Sequence, residues 1–208
     1  MRKLLLSSAA VLGLCAPAFA QVNVVPQIGV NTANLRQNTY TATAVKLVPA
    51  ASATDIMCLN GSTSKNVRLR QVAISGRAGT AINTEFLLNL NHSLDTGGTP
   101  ATGLALPVAA PHNPNNPAAT ATLTAYTANP TVNDTTPNLL LGQAVTLATA
   151  TGLLQGPPDY LAGSAIDFYN QGWDIPKAGT VVQQICVNLN GVSISSGVLD
   201  ITFTWTEE

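Results

Sequence analysis

Past residue 20 the clearest order in the chain is an alternation of apolar and polar residues with period two, the signature of strands that bury one face. Residues 85–91 set Phe86, Leu88 and Leu90 on one side and Glu85, Asn89 and Asn91 on the other. The last segment repeats the pattern, with Leu199, Ile201, Phe203 and Trp205 facing one way and Asp200, Thr202, Thr204 and Thr206 the other. Ile185, Val187 and Leu189 form a further inner row, with Gln184 and Asn188 outside. Residues 67–74 begin with Val67 and Leu69 inside, but Val72 and Ile74 then fall on the wrong parity. Either a bulge near Gln71 restores the register or the strand is covered on both faces. Turn signals at Asn60-Gly61-Ser62, Ser75-Gly76, Asn190-Gly191 and Ser196-Gly197 separate these runs, and Val187 to Trp205 reads as a hairpin.

The middle of the chain has another character. Between Asp95 and Pro158 lie most of the 13 prolines, many Thr, Ala and Asn, and no Lys or Arg. The tract Pro111-His112-Asn113-Pro114-Asn115-Asn116-Pro117 cannot run through the centre of a sheet, because proline removes a ladder donor and fixes φ. A connection this long needs strands of its own, and the alternation assigns them to Ala119–Ala128 and Gln143–Ala148. With no helical period beyond residue 20, the expectation is an all-β fold, a jelly-roll-like β-sandwich with long Pro/Asn/Thr-rich loops. It forms a single domain over residues 40–208, preceded by an Asn-rich arm at 21–39.

The first twenty residues belong to neither. Arg2-Lys3, the apolar run Leu4–Leu14 and the small residues up to Ala20 have the layout of an export signal cleaved between Ala20 and Gln21. The run is shorter than the roughly 20 apolar residues a membrane-crossing helix needs, and no later segment reaches that length. The expected location is therefore secreted, periplasmic or cell-surface. Charge points away from nucleic acid: nine Lys and Arg stand against ten Asp and Glu, and loss of Arg2 and Lys3 with the signal makes the balance more acidic, leaving no cationic field. Only 9% of residues are charged, so little repulsion keeps copies apart, and self-association or contact with another surface protein is expected.

Side chains that carry chemistry are sparse. Cys58 and Cys186 are the two cysteines of the mature chain, and export permits a bridge between them. Alternation puts Cys186 opposite the Ile185/Val187 row while Cys58 shares parity with Ile56, so a bridge and two separate buried thiols both stay open. His92 and His112 lack a Cys or carboxylate at zinc-ligand spacing. Asp95, Asp134 and Asp159 read as isolated loop residues, so no metal and no cofactor is expected. Gly163-Ser164-Ala165 lacks the second glycine of a nucleophile elbow, and Glu85 with Glu207 and Glu208 makes no convincing glycosidase pair. An enzyme is not expected. Tyr160, Phe168, Tyr169 and Trp173 cluster between Gly163 and Gly172 or close by. Buried, they are core; exposed, Tyr160, Tyr169 and Trp173 would make a platform for sugar rings.

Three stretches carry a resemblance: Val67-Arg68-Leu69-Arg70-Gln71-Val72-Ala73-Ile74-Ser75-Gly76, then Pro111 to Pro130 with its Ala125-Tyr126-Thr127-Ala128 strand, and Val187-Asn188-Leu189-Asn190-Gly191 through to Trp205-Thr206-Glu207-Glu208. In order and spacing they resemble a group of uncharacterised bacterial and phage proteins. The resemblance implies a β-sandwich and, for phage members, association with the virion; it carries no site residues. The long neutral Thr/Asn/Pro loops, with no titratable pair at a catalytic spacing, lead to an exported structural or surface-interaction protein without catalytic activity. The alternatives are a carbohydrate-binding module that takes a glycan on its aromatic platform, or a phage virion or decoration-type protein.

Overall fold

A computed structural model describes residues 37–147, 149, 172–178, 181–194 and 196–208. The strands in chain order are β1 (Asn38–Leu47), β2 (Asp55–Asn60), β3 (Val67–Arg77), β4 (Ile82–Asn91), β5 (Thr99–Pro100), β6 (Ala110–Pro111), β7 (Thr122–Ala128), β8 (Asn138–Leu147), β9 (Trp173–Ile175), β10 (Gln184–Asn188) and β11 (Val198–Glu207). They build two antiparallel sheets, one of five strands ordered β6-β1-β11-β3-β9 and one of six ordered β5-β7-β2-β10-β4-β8. The fold is an all-β sandwich. The single helical turn described, Gly103–Ala105, is a 3₁₀ turn.

The core forms where the inner rows of the two sheets meet. β11 supplies Leu199, Ile201, Phe203 and Trp205, all fully buried. β1 supplies Tyr40, Ala42 and Ala44, and β3 supplies Val67, Leu69, Val72 and Ile74. Met57, Leu59, Phe86, Leu88, Ile185 and Val187 come from the six-stranded sheet. The Trp205 and Tyr40 rings stack at 5.7 Å, and the Tyr40 hydroxyl donates to the Pro117 carbonyl at 3.0 Å. Burial of each large side chain stabilises by about 1.5–3 kcal/mol.

One polar residue continues the inner row of β11. Glu207 is buried, and its carboxylate accepts the Thr120 N–H at 2.9 Å, the Thr120 hydroxyl at 2.8 Å and the Ala121 N–H at 2.9 Å. The Trp205 indole N–H adds a bond of 3.2 Å. With these donors the carboxylate is solvated by protein instead of water, and the end of β11 is tied to the entry of β7 in the other sheet.

Several local expectations resolve. The bulge in β3 is real: Thr204 pairs with Gln71 and Trp205 with Leu69, so Arg70 is the extra residue and Val72 and Ile74 return to the core. Ser75-Gly76 is not a turn but the interior of β3. A Cβ on Gly76 would stand 2.5 Å from the Val198 carbonyl oxygen, so close approach of β11 explains the glycine. The Val187–Trp205 hairpin is also corrected. β10 and β11 lie in different sheets. Asn190 and Gly191, both at positive φ, turn the chain where Leu189 N–H meets the Thr54 carbonyl and Gly191 N–H meets that of Ala53. The chain then steps across to the other sheet. β1 takes in Asn38 and Thr39 from the expected arm; the cleavage pair Ala20 and Gln21 lies outside the described residues.

Candidate functional site

The outward face of the six-stranded sheet is polar by alternation. Register sets Thr124, Cys58, Cys186 and Asn89 side by side on β7, β2, β10 and β4. The adjacent row is Thr122, Asn60, Gln184 and Asn91. An outer row of this kind is ordinarily wet, yet Asp55, Asn91 and Gln184 each expose only 1% of their surface.

Cys58 and Cys186 are joined in a disulfide, their Cα atoms 4.1 Å apart, and this settles the choice the sequence left open. The parity argument against it fails at one residue. Met57 pairs with Val187 and Asp55 with Asn188, so Ile56 is the extra residue of a bulge and does not report the facing of Cys58. Met57 and Leu59 line the core, and Cys58 faces outward with Cys186 and Tyr126.

Two carboxylates lie over the bridge. Asp55, at the bulge, accepts the Asn188 amide at 2.6 Å and the Asn91 amide at 2.9 Å. Asp95 comes from the loop after β4, its Oδ2 3.8 Å from Cys58 Sγ. One ligating atom from each of Asp55, Cys58, Asp95 and Cys186 lies within 4.8 Å of all the others. Burial, and then the neighbouring Asp55 charge, push the Asp95 carboxyl up to about 7. The Tyr126 phenol is also raised, first by burial and then by Asp95. The Asp95 loop is held down by paired backbone bonds between Thr96 and Thr131, 3.1 and 2.7 Å, and by the Asn133 amide on the Leu94 carbonyl at 2.7 Å. His92 adds a clamp on Asp134 through its backbone N–H at 2.7 Å and its ring Nδ1 at 2.8 Å. These backbone donors, with Thr136, hold the Asp134 carboxyl below its ordinary value.

Asp95 and Asp134, read from sequence as isolated loop residues, are therefore both engaged. The pairing of Asp55 with Asp95 spans 40 positions and has no local motif; the one hint is Asp55 standing three residues before Cys58. The histidines are not brought together. His92 serves the six-stranded sheet, whereas the His112 backbone N–H pairs with Thr39 of the other at 2.9 Å. Glu85 is exposed on β4, whereas Glu207 is buried and bonded to Thr120 and Ala121. Of the aromatic platform, Trp173 opens β9 opposite Leu69 and packs half-buried against the core, while Tyr160, Phe168 and Tyr169 lie outside the described residues. Chemically the centre can share a proton between two carboxyl groups. Compared with protein-family models, with curated proteins and with solved structures, the chain matches none.

Proposed function

We propose that the protein is an exported structural or surface-interaction protein without catalytic activity, and that it assembles with copies of itself by edge pairing. The observation that carries this reading is β8. Three of the four sheet edges end in strands of two or three residues, β6, β9 and β5. The fourth ends in the ten-residue β8, whose sequence NLLLGQAVTL contains no charge and no proline. Leu139 on it is 62% exposed, and among the described residues only β4 pairs with it. Natural proteins blunt long edges with charges, prolines or covering elements, because unpaired N–H and C=O groups recruit further strands. An antiparallel β8–β8 contact is isologous and closes as a two-fold dimer.

Sedimentation velocity over a wide concentration range tests the reading. Wild type is expected to associate and Leu139→Lys to sediment as a monomer. A wild-type monomer throughout would contradict it. The glycan alternative rests on Trp173 at the edge of the other sheet; glycan-array binding that Trp173→Ala abolishes without unfolding would replace the structural reading.

A further inference from the structure

We propose that, when the Cys58–Cys186 bridge is open, Cys58, Cys186, Asp55 and Asp95 bind a zinc-class divalent cation, so that bridge and metal are alternative occupants of one site. The inference is independent of edge pairing. Its first support is convergence: the four donor atoms already lie within 4.8 Å of one another. Bonds of about 2.3 Å to sulfur and about 2.0–2.2 Å to oxygen need donors spaced at roughly 3.3–3.8 Å around a tetrahedron. Opening the bridge frees the sulfurs to separate toward that spacing.

The scaffold is the second support. β2 presents Asp55 and Cys58, β10 presents Cys186, and the clamped loop presents Asp95. The Asn91 and Asn188 amides donate to Asp55, the outer-shell arrangement that orients a ligating carboxylate. Third, the site has unmet acceptor capacity. Asp95 Oδ1 and Asn91 Oδ1 are buried and accept no hydrogen bond, and Asp55 is bonded to two neutral amides and faces the Asp95 carboxyl. A dication supplies the missing positive charge. Two thiolates select a zinc-class ion over calcium or magnesium.

The chemistry balances with a dithiol reductant. Its two thiols give two electrons and two protons to the bridge, the S–S bond breaks to two cysteine thiols, and the reductant becomes a disulfide. Metal binding then releases both thiol protons, and the Asp95 proton where it is held. Reoxidation by a small-molecule disulfide takes two electrons from the thiolates, returns that disulfide to two thiols with two protons from water, reforms the bridge and expels the ion.

The test uses the full chain, reduced with a phosphine, desalted without air, and titrated with cobalt(II) as a visible stand-in for zinc. The expected result is one equivalent of cobalt giving thiolate charge-transfer and tetrahedral bands, displaced by zinc and absent from the bridged protein. Asp55→Asn and Asp95→Asn are expected to weaken binding at least tenfold, and Cys58→Ser with Cys186→Ser to abolish the bands. Circular dichroism follows each sample. The proposal is overturned by a reduced chain that stays folded without the bands, by one that loses its sheet signal and does not regain it with metal, or by carboxamide variants that bind as tightly as wild type.

Discussion

The two sheets carry outward faces written in the same polar alphabet, and the protein treats them differently. On the five-stranded sheet the outer row is a ladder of hydroxyls, with Thr41 and Thr204 3.2 Å apart and Thr43 and Thr202 2.9 Å apart, all half-exposed. On the six-stranded sheet the equivalent positions hold Asp55, Asn91, Gln184 and the Cys58–Cys186 bridge, and these are buried. Alternation fixes which side chains point away from the core. Whether that side is wet depends on what folds over it, here the loop carrying Asp95. The first face contributes little energy because its bonds compete with water. The second is a small polar core in which an unmade bond is costly.

The largest effect belongs to the core that both sheets share. Phe203→Ala should cost about 3–5 kcal/mol, and Thr204→Ala, on the outer face beside it, should stay within about 0.5 kcal/mol. Equal urea midpoints for the two would mean that β11 is not buried on one side only. The next contrast compares the outer faces directly. Opening the bridge with Cys58→Ser and Cys186→Ser, which frees a loop of 128 residues, should cost about 2–5 kcal/mol. Removing a hydroxyl pair with Thr43→Ala and Thr202→Ala should cost under about 1 kcal/mol, again read from urea unfolding. A smaller effect sharpens the comparison. Asp55→Ala leaves the Asn91 and Asn188 amides without their acceptor and should cost about 1–3 kcal/mol. Asp200, whose carboxylate takes the exposed Lys46 N–H at 2.7 Å, should cost less when changed to Ala, since water replaces it.

Much of the sandwich was legible as period-two rows. β4, β10 and β11 were readable because large apolar residues occupy every second position, and the bulge in β3 because two good rows could not otherwise share one strand. β1 was harder, since its inner row of Tyr40, Ala42 and Ala44 is made mostly of small residues with weak contrast to threonine. Glu207 was legible in hindsight: it continues the parity of Phe203 and Trp205, a signal that a charged residue lies in a buried row. The Asp55–Asp95 centre was not legible. It depends on a bulge at Ile56 that the sequence does not mark and on a loop closing across strands, and both are products of tertiary pairing. The step of the chain between sheets after Asn190-Gly191 was hidden for the same reason, because a turn motif states that the chain bends and not which strand it meets next.

The outer face of the six-stranded sheet is a closed polar core, and the proton on Asp95 reports on that closure most directly. In the folded chain this carboxyl titrates at about 7, against an ordinary value of 3.8. Between those values the folded state keeps a proton that the unfolded chain releases, so the stability this group contributes is full below about pH 4 and is lost as pH rises through 7. The measurement is the thermal midpoint of the bridged protein, with chelator present, from pH 5 to pH 8, set against Asp95→Asn. If burial costs the ionised group about 1–2 kcal/mol, wild type should lose about 3–6 °C more than the variant over this range. Parallel curves would place Asp95 in water and leave the six-stranded sheet as open on its outer face as its partner.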